Sequence, residues 1–199
     1  MNGDDTLATS TNSDLFTVPI EGGEIKKLTL NTGADNSPQY SPDGKFIAYR
    51  SQSKSGYESD RWRLSMITLA SGISHSLTEA MDRNVSGFTW TPDSKRLFMI
   101  IEDRGRHNVQ MINGNGGGTR PVITGSVTID DVQFTADGKS IIYTEQSGSR
   151  PVEIMRAASG AAGTPLTKMN DALLAGYSLK ALEEITVTSP DQSKVSSFI

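Results

Sequence analysis

Three segments of this sequence repeat one pattern, which constrains the fold more than any other feature. Each contains an aromatic residue, then Ser or Thr, a variable residue, an Asp, a small residue and Lys. The segments are residues 37–45, 87–95 and 131–139, and their Asp residues are Asp43, Asp93 and Asp137. A second marker, an aliphatic residue followed by Thr, ends at Thr29, Thr78, Thr124 and Thr167. Because both markers step by 43 to 50 residues, they indicate an internal repeat.

The residues between the markers predict four short strands in each repeat. Runs rich in branched and aromatic residues follow the Asp-containing turns, as is typical of strands. They are residues 46–49, 97–101 and 141–143, and third strands are expected at 64–69, 109–112 and 153–156. Four antiparallel strands recurring at this period are the pattern of β-propeller blades.

The sequence thus predicts an all-β fold, a β-propeller fragment of about 3.5 four-stranded blades. Complete blades are expected at about residues 35–78, 84–124 and 129–167. Residues 12–30 supply only a third and a fourth strand, so the pattern begins inside a blade. The partial propeller is assigned to residues 1–168. Residues 169–199 are assigned to a linker with a short helical turn and a final hairpin.

The repeat also predicts the roles of individual side chains. The three repeated Asp residues stand in the same turn, where an Asp side chain hydrogen-bonds its own backbone, so turn chemistry is favoured over a cation site. The repeated aromatic residues, Tyr40, Trp90 and Phe134, are expected to pack between blades. His75 and His107 have polar neighbours and are expected to be solvated. With Cys 0 and no His cluster, no metal site and no cofactor are expected.

Charge and hydropathy exclude further classes. The 19 Lys and Arg residues are scattered and the formal net charge is -4, which argues against a nucleic-acid surface. The longest apolar run, residues 97–101, is far shorter than the roughly 20 residues that cross a bilayer, so no membrane contact is expected. Residues 1–10 lack the apolar core of a secretory signal. The expectation is a cytosolic protein or a piece of a longer one.

Several segments resemble a known family. The Ser-Pro-Asp-Gly-Lys motif at residues 41–45, with Leu-Thr blade ends, resembles TolB-type propellers. Residues 49–52, 56–64 and 166–176 resemble the propeller of the prolyl oligopeptidase family, in its dipeptidyl aminopeptidase and acylaminoacyl peptidase branch. The resemblance implies that residues 183–191 lead into an α/β-hydrolase domain, and it is compatible with a periplasmic or secreted full-length protein. Gln192 departs from the family, which usually has Gly there.

No catalytic residues are assigned to this chain. The nucleophile elbow of that family needs Gly-x-Ser-x-Gly, and residues 176–180 come nearest but lack the second Gly. The resemblance therefore implies the non-catalytic propeller segment of a serine exopeptidase, which gates and orients peptides for a separate hydrolase domain. The alternative is a free-standing TolB-type protein-binding module. A propeller lyase or glycosidase would need clustered His and carboxylate residues, which the sequence lacks.

One segment departs from the repeat. The first complete blade is the longest, and its excess lies in residues 51–63. Blade loops carry binding functions more often than strands do. The resemblance implies that acidic propeller residues hold the free amino group of a peptide, which makes Glu58 and Asp60 candidate substrate-binding residues. Arg61, beside them, is a third candidate for substrate binding. The competing interpretation is a surface network of Asp60, Arg61 and Arg63.

The blade count predicts self-association, because open strand edges are templates for pairing. Two closures are considered. In one, the hairpin of residues 184–199 pairs with residues 12–30 of the same chain and closes a four-bladed ring. In the other, which is favoured, two chains join head to tail and complete each other's partial blades.

Overall fold

The computed structural model describes residues 10–158 and 161–199, and strands dominate these residues. A half blade comes first, with β1 (Phe16–Thr17) paired antiparallel to β2 (Lys26–Lys27). Blade 1 contains β3 (Asp35–Tyr40), β4 (Phe46–Ser51), β5 (Arg63–Thr68) and β6 (Ile73–Ser76). Blade 2 contains β7 (Val85–Trp90), β8 (Arg96–Asp103), β9 (Arg106–Asn113) and β10 (Arg120–Ile123). Blade 3 contains β11 (Thr128–Phe134), β12 (Ser140–Ser147), β13 (Arg150–Ala158) and β14 (Thr164–Pro165).

Each blade is an antiparallel meander, with every strand paired to the next along the chain. The predicted all-β propeller architecture is confirmed. The rest of the chain contains α1 (Asp171–Leu174) and a tail hairpin of β15 (Glu184–Thr188) and β16 (Lys194–Phe198). None of the helical segments in the described residues has the length and apolar character that a membrane-crossing helix needs.

The repeated Asp fastens the turn between the first two strands of each blade. In blade 1, Ser41 Oγ donates a hydrogen bond to Asp43 Oδ1 at 2.7 Å, and the Lys45 amide donates to the same oxygen at 3.2 Å. Blades 2 and 3 repeat both bonds, with Thr in place of Ser41. The hydroxyl bond is the main cause that lowers the pKa of each Asp carboxyl. The contacts bear out the predicted turn role.

The core lies between blades, and β8 at its centre shows why. Alternate residues of a strand point to opposite faces of its sheet. Leu97, Met99 and Ile101 therefore pack against blade 1, while Phe98 and Ile100 pack against blade 3. Full burial of an aliphatic side chain contributes about 1.5–3 kcal/mol to the stability of the fold. A blade covered on both faces gains this free energy from the side chains of both faces.

One backbone link recurs where each blade meets the next. The Asp35 amide donates to Ser13 O at 2.7 Å, and the Val85 amide donates to Trp62 O at 3.0 Å. At the third junction Thr128 pairs with His107 in parallel register. In each case the start of a first strand joins the start of the preceding third strand. The link thus sets how consecutive blades are placed.

The repeated aromatic residues differ in burial. Trp90 stacks on Phe46 with ring centroids 6.3 Å apart, and Phe134 meets Phe98 edge to face at 4.9 Å. Both partners stand on the second strand of the preceding blade. Tyr40 is 59% exposed, so the prediction that it packs between blades is wrong. In the described part of the half blade, residues 10–30, there is a third and a fourth strand but no second strand that could carry such a partner.

Blade 3 leaves one face uncovered. Ile141, Tyr143 and Met155 point towards blade 2 and are buried. Alternate residues point the other way, and Ile142, Val152 and Ile154 are 37%, 49% and 40% exposed. We call these three residues the open face of blade 3. Val152 occupies the position in β13 that is equivalent to Ser13, Trp62 and His107, the residues that pair with the next blade at the other junctions.

The tail hairpin stands apart from the half blade. Its two strands form a sheet of their own, as do β1 and β2. The closure in which this hairpin pairs with the half blade of the same chain is therefore not adopted. Its strands instead meet the turn of blade 2, because the side chains of Glu184 and Phe198 contact residues 104–106.

Candidate functional site

The connection from β4 to β5, residues 52–62, is the blade 1 loop. The equivalent connections in blades 2 and 3 are two-residue turns at 104–105 and 148–149. Because all three join a second strand to a third strand, they lie on the same face of the propeller. The blade 1 loop is therefore the longest of these projections on that face, and it carries all three candidate residues.

Asp60 fixes the base of the loop. Its side chain is buried, and Oδ2 accepts hydrogen bonds from the backbone amides of Ser53 at 2.7 Å and Lys54 at 2.9 Å. Oδ1 accepts from the amide of Arg61 at 2.9 Å, and Arg63 Nη1 lies 3.3 Å from Oδ2. Burial opposes ionisation, but the three amides and the Arg63 charge outweigh it and lower the pKa of Asp60 to about 2.

The two arginines beside Asp60 tie the loop to the end of blade 1. Arg61 donates to the backbone oxygens of Thr78 at 3.2 Å and Glu79 at 3.0 Å. Arg63 Nε lies 3.1 Å from a carboxylate oxygen of Glu79. Both guanidinium groups are thus engaged within the protein.

Glu58 differs from its neighbours because its side chain is exposed. Its backbone oxygen accepts a hydrogen bond from Gln52 Nε2 at 3.1 Å, and the same amide group donates to Asp60 O at 2.6 Å. Gln52 is buried, so it holds the backbone of the loop from below. The structure therefore brings the three candidates together in one loop and leaves Glu58 as the carboxylate that an external cation can reach.

Replacing Asp60 with Asn should destabilise the protein by roughly 2 kcal/mol at pH 7, because an amide cannot accept from all these donors while balancing Arg63. A carboxyl whose pKa is lower in the folded state stabilises above its unfolded pKa of about 3.9 and loses this contribution as pH falls towards the folded value. Urea unfolding should therefore show a difference at pH 7 that shrinks between about pH 4 and pH 2. Glu58→Gln is the matched control and should leave stability unchanged. A difference independent of pH would contradict the assignment to the Asp60 charge.

Sequence reasoning missed Arg50, which joins blades 1 and 2 close to the loop. Its Nε donates to Asn36 Oδ1 at 3.0 Å, and Nη1 donates to Ser86 O at 2.8 Å. The guanidinium carbon lies 4.9 Å from the ring centroid of Trp62, and burial lowers the pKa of this side chain. A lone Arg at the end of an apolar second strand was the available signal.

A cavity of about 850 Å³ runs along the first strands of all three blades. Gln39, Thr89 and Gln133 give it polar walls, together with Asp130 and Asp131. Such a space between first strands is where a propeller has its central channel. Each of the three first strands that line the cavity has a register shift of the kind that a β-bulge produces. The pattern of apolar residues in the sequence does not predict these shifts.

The two histidines lie in different environments. His75 is exposed on β6, as expected. His107 is half-buried rather than solvated, and its Nδ1 lies 3.1 Å from Asp130 Oδ1 because the link between blades 2 and 3 brings β9 beside β11. In the part of the chain that the structure describes, no three His, Asp or Glu side chains converge as a metal site would require.

Comparison with known proteins agrees with this architecture. Residues 5–171 match the family model for the TolB beta propeller domain. Dipeptidyl-peptidase 5 of Porphyromonas gingivalis is 30% identical over 167 residues, which are 83% of this chain and 24% of that protein. The probable dipeptidyl-peptidase 5 of Aspergillus niger is 31% identical over 119 residues, which are 58% of this chain and 16% of that protein. The chain thus spans at most about a quarter of the length of these relatives.

Solved structures show the same fold. The acylaminoacyl peptidase of Pyrococcus horikoshii superposes with a TM-score of 0.71 at 16% identity, over 93% of this chain and 27% of that one. TolB from Acinetobacter baumannii superposes with a TM-score of 0.62 at 21% identity, over 81% of this chain and 39% of that one. The chain belongs to the family of TolB-type β-propeller domains, and its resemblance to dipeptidyl and acylaminoacyl peptidases covers their propeller portion only.

Proposed function

We propose that this chain is the non-catalytic propeller portion of a serine exopeptidase, which gates and orients peptide substrates for a separate α/β-hydrolase domain. The observation that carries the proposal is the similarity to dipeptidyl-peptidase 5 over 83% of the chain. The activity and substrates of a whole protein containing this chain are part of the proposal. The polar cavity along the first strands supports the gating role, because an extended peptide carries hydrogen-bonding groups along its whole backbone.

Within this proposal, Glu58 binds the free amino group of the peptide. An enzyme that removes dipeptides must measure two residues from an amino terminus, and a carboxylate is the natural partner of an ammonium group. Asp60 and Arg61 serve the same purpose by holding the loop, since their polar groups already have partners. Only a loop with a fixed base can set such a distance.

The binding of a free amino group can be tested on the chain itself. A dipeptide amide with a free amino terminus should shift backbone NMR resonances of residues 52–62, and its N-acetylated form should bind roughly tenfold more weakly. Glu58→Gln should weaken binding of the free form by a similar factor, whereas Glu21→Gln, an exposed change in the half blade, should have no effect. Equal affinity for the two peptides, or no shift in the loop, would reject the role of Glu58.

The alternative is a free-standing TolB-type module that binds proteins. The structural likeness to TolB favours it. The same titration separates the two functions, because a protein-binding module has no reason to discriminate between a free and an acetylated amino terminus.

A further inference from the structure

The tail hairpin meets the propeller at the turn between β8 and β9. Glu184 Oε1 lies 3.6 Å from Arg104 Nη1, and Glu184 Oε2 lies 3.4 Å from Arg106 Nη1. The guanidinium carbon of Arg106 also lies 5.1 Å from the ring centroid of Phe198. Arg106 is therefore held between a carboxylate and an aromatic ring.

Both hairpin residues come from the same end of the hairpin. Glu184 and Phe198 are paired directly across the two strands. Most residues of the linker and the hairpin are exposed, but Glu184 and Phe198 are half-buried. The shielded positions of β15 and β16 thus include the two that face the propeller turn.

The turn itself is shaped for this contact. Arg104 has φ 47° and Gly105 has φ 68°, the backbone of a tight two-residue hairpin. Asn, Asp or Gly would satisfy that backbone with less strain than Arg, so the side chain of Arg104 is best explained by its contact with Glu184. A Cβ at residue 105 would lie 3.0 Å from the ring of Phe198, so a glycine leaves room for the ring.

A second contact lies at the equivalent turn of blade 3. Leu182 packs over Gly148, where any side chain would collide with it. Two neighbouring turns on one face of the propeller therefore receive the tail. The turn of blade 2 contacts both ends of the hairpin, and the turn of blade 3 contacts Leu182, two residues before the hairpin begins.

We propose that the turns at residues 104–106 and 148 form a docking site for the tail hairpin, and that Glu184 and Phe198 hold the hairpin there. This site is on the same face as the blade 1 loop, so any segment joined after the hairpin would start on the face that carries Glu58. The contact consists of a partly exposed ion-pair cluster, the ring of Phe198 and the side chain of Leu182, which makes docking reversible and sensitive to salt.

Hydrogen exchange of the intact chain tests this docking site. A two-stranded hairpin is marginal in isolation, so slow exchange of the β15 and β16 amides reports docking. Glu184→Gln should accelerate their exchange roughly fivefold to tenfold, and Phe198→Leu should do the same. The matched control, Glu183→Gln, removes a neighbouring charge to which no ion pair is assigned among the described residues, and should change exchange by less than about twofold.

Two outcomes would overturn the proposal. One is equal exchange of the hairpin amides in Glu184→Gln and Glu183→Gln. The other is a uniform acceleration that includes the β8 amides, because loss of docking acts on the tail alone. The readout does not involve peptides, so it stands or fails separately from the role of Glu58. Raising the salt concentration in the parent chain should reproduce part of the Glu184→Gln effect.

Discussion

Replacing Trp90 with Ala is expected to lower the free energy of unfolding by about 3–5 kcal/mol. The indole is 6% exposed, stacks on Phe46 of blade 1, and donates from Nε1 to Gln39 O at 3.2 Å. Truncation opens a cavity between blades 1 and 2 and leaves that backbone oxygen without this donor. Urea unfolding followed by circular dichroism measures the loss.

Tyr40 provides the control for this experiment, because it occupies the same position of the repeat in blade 1. Its side chain is exposed, so Tyr40→Ala should cost less than about 1 kcal/mol. Equal losses at the two positions would contradict the account of inter-blade packing, since they would show that burial by the preceding blade does not decide the cost.

The second large effect concerns assembly. A solution containing only this chain should self-associate, because among the described residues the open face of blade 3 is partly exposed and the half blade has only two paired strands. The expected contact is head to tail, with the half blade of one copy against the open face of the other. Ile142→Lys with Ile154→Lys should shift sedimentation equilibrium towards the mass of one chain.

The control for the assembly experiment is Ile73→Lys. Ile73 is also exposed, but it lies on β6, away from the open face. This variant should associate like the parent. A parent chain whose mass equals one copy at every concentration would refute self-association, and an equal response to both sets of lysines would place the contact elsewhere.

The sequence predicts the blades well because their determinants are local. An Asp-containing turn between two apolar runs defines a hairpin within about ten residues, and its repetition defines the blade. The environment of Tyr40 is different, because it depends on which strands the preceding blade contributes. Nothing near Tyr40 in the sequence distinguishes it from Trp90.

The candidate site was predicted only in outline. Loop length picked out residues 51–63, but the partners of Asp60 are backbone amides of Ser53 and Lys54, which no side-chain pattern reveals. Arg104 and Glu184 are 80 positions apart, and only the folded propeller brings them together. Contacts of this kind depend on tertiary structure, so spacing along the chain carries no signal for them.

The recurring backbone pairing between blades makes the propeller modular. Since the start of a first strand pairs with the start of the preceding third strand at each junction, a whole repeat could be duplicated or deleted and equivalent strand positions would meet again. A rearrangement that divides the chain at another point of the repeat would separate first strands from the turns that position them. The unit whose duplication or deletion preserves this backbone pairing is therefore one complete repeat, whereas the side-chain packing at the new junction depends on which blades become neighbours.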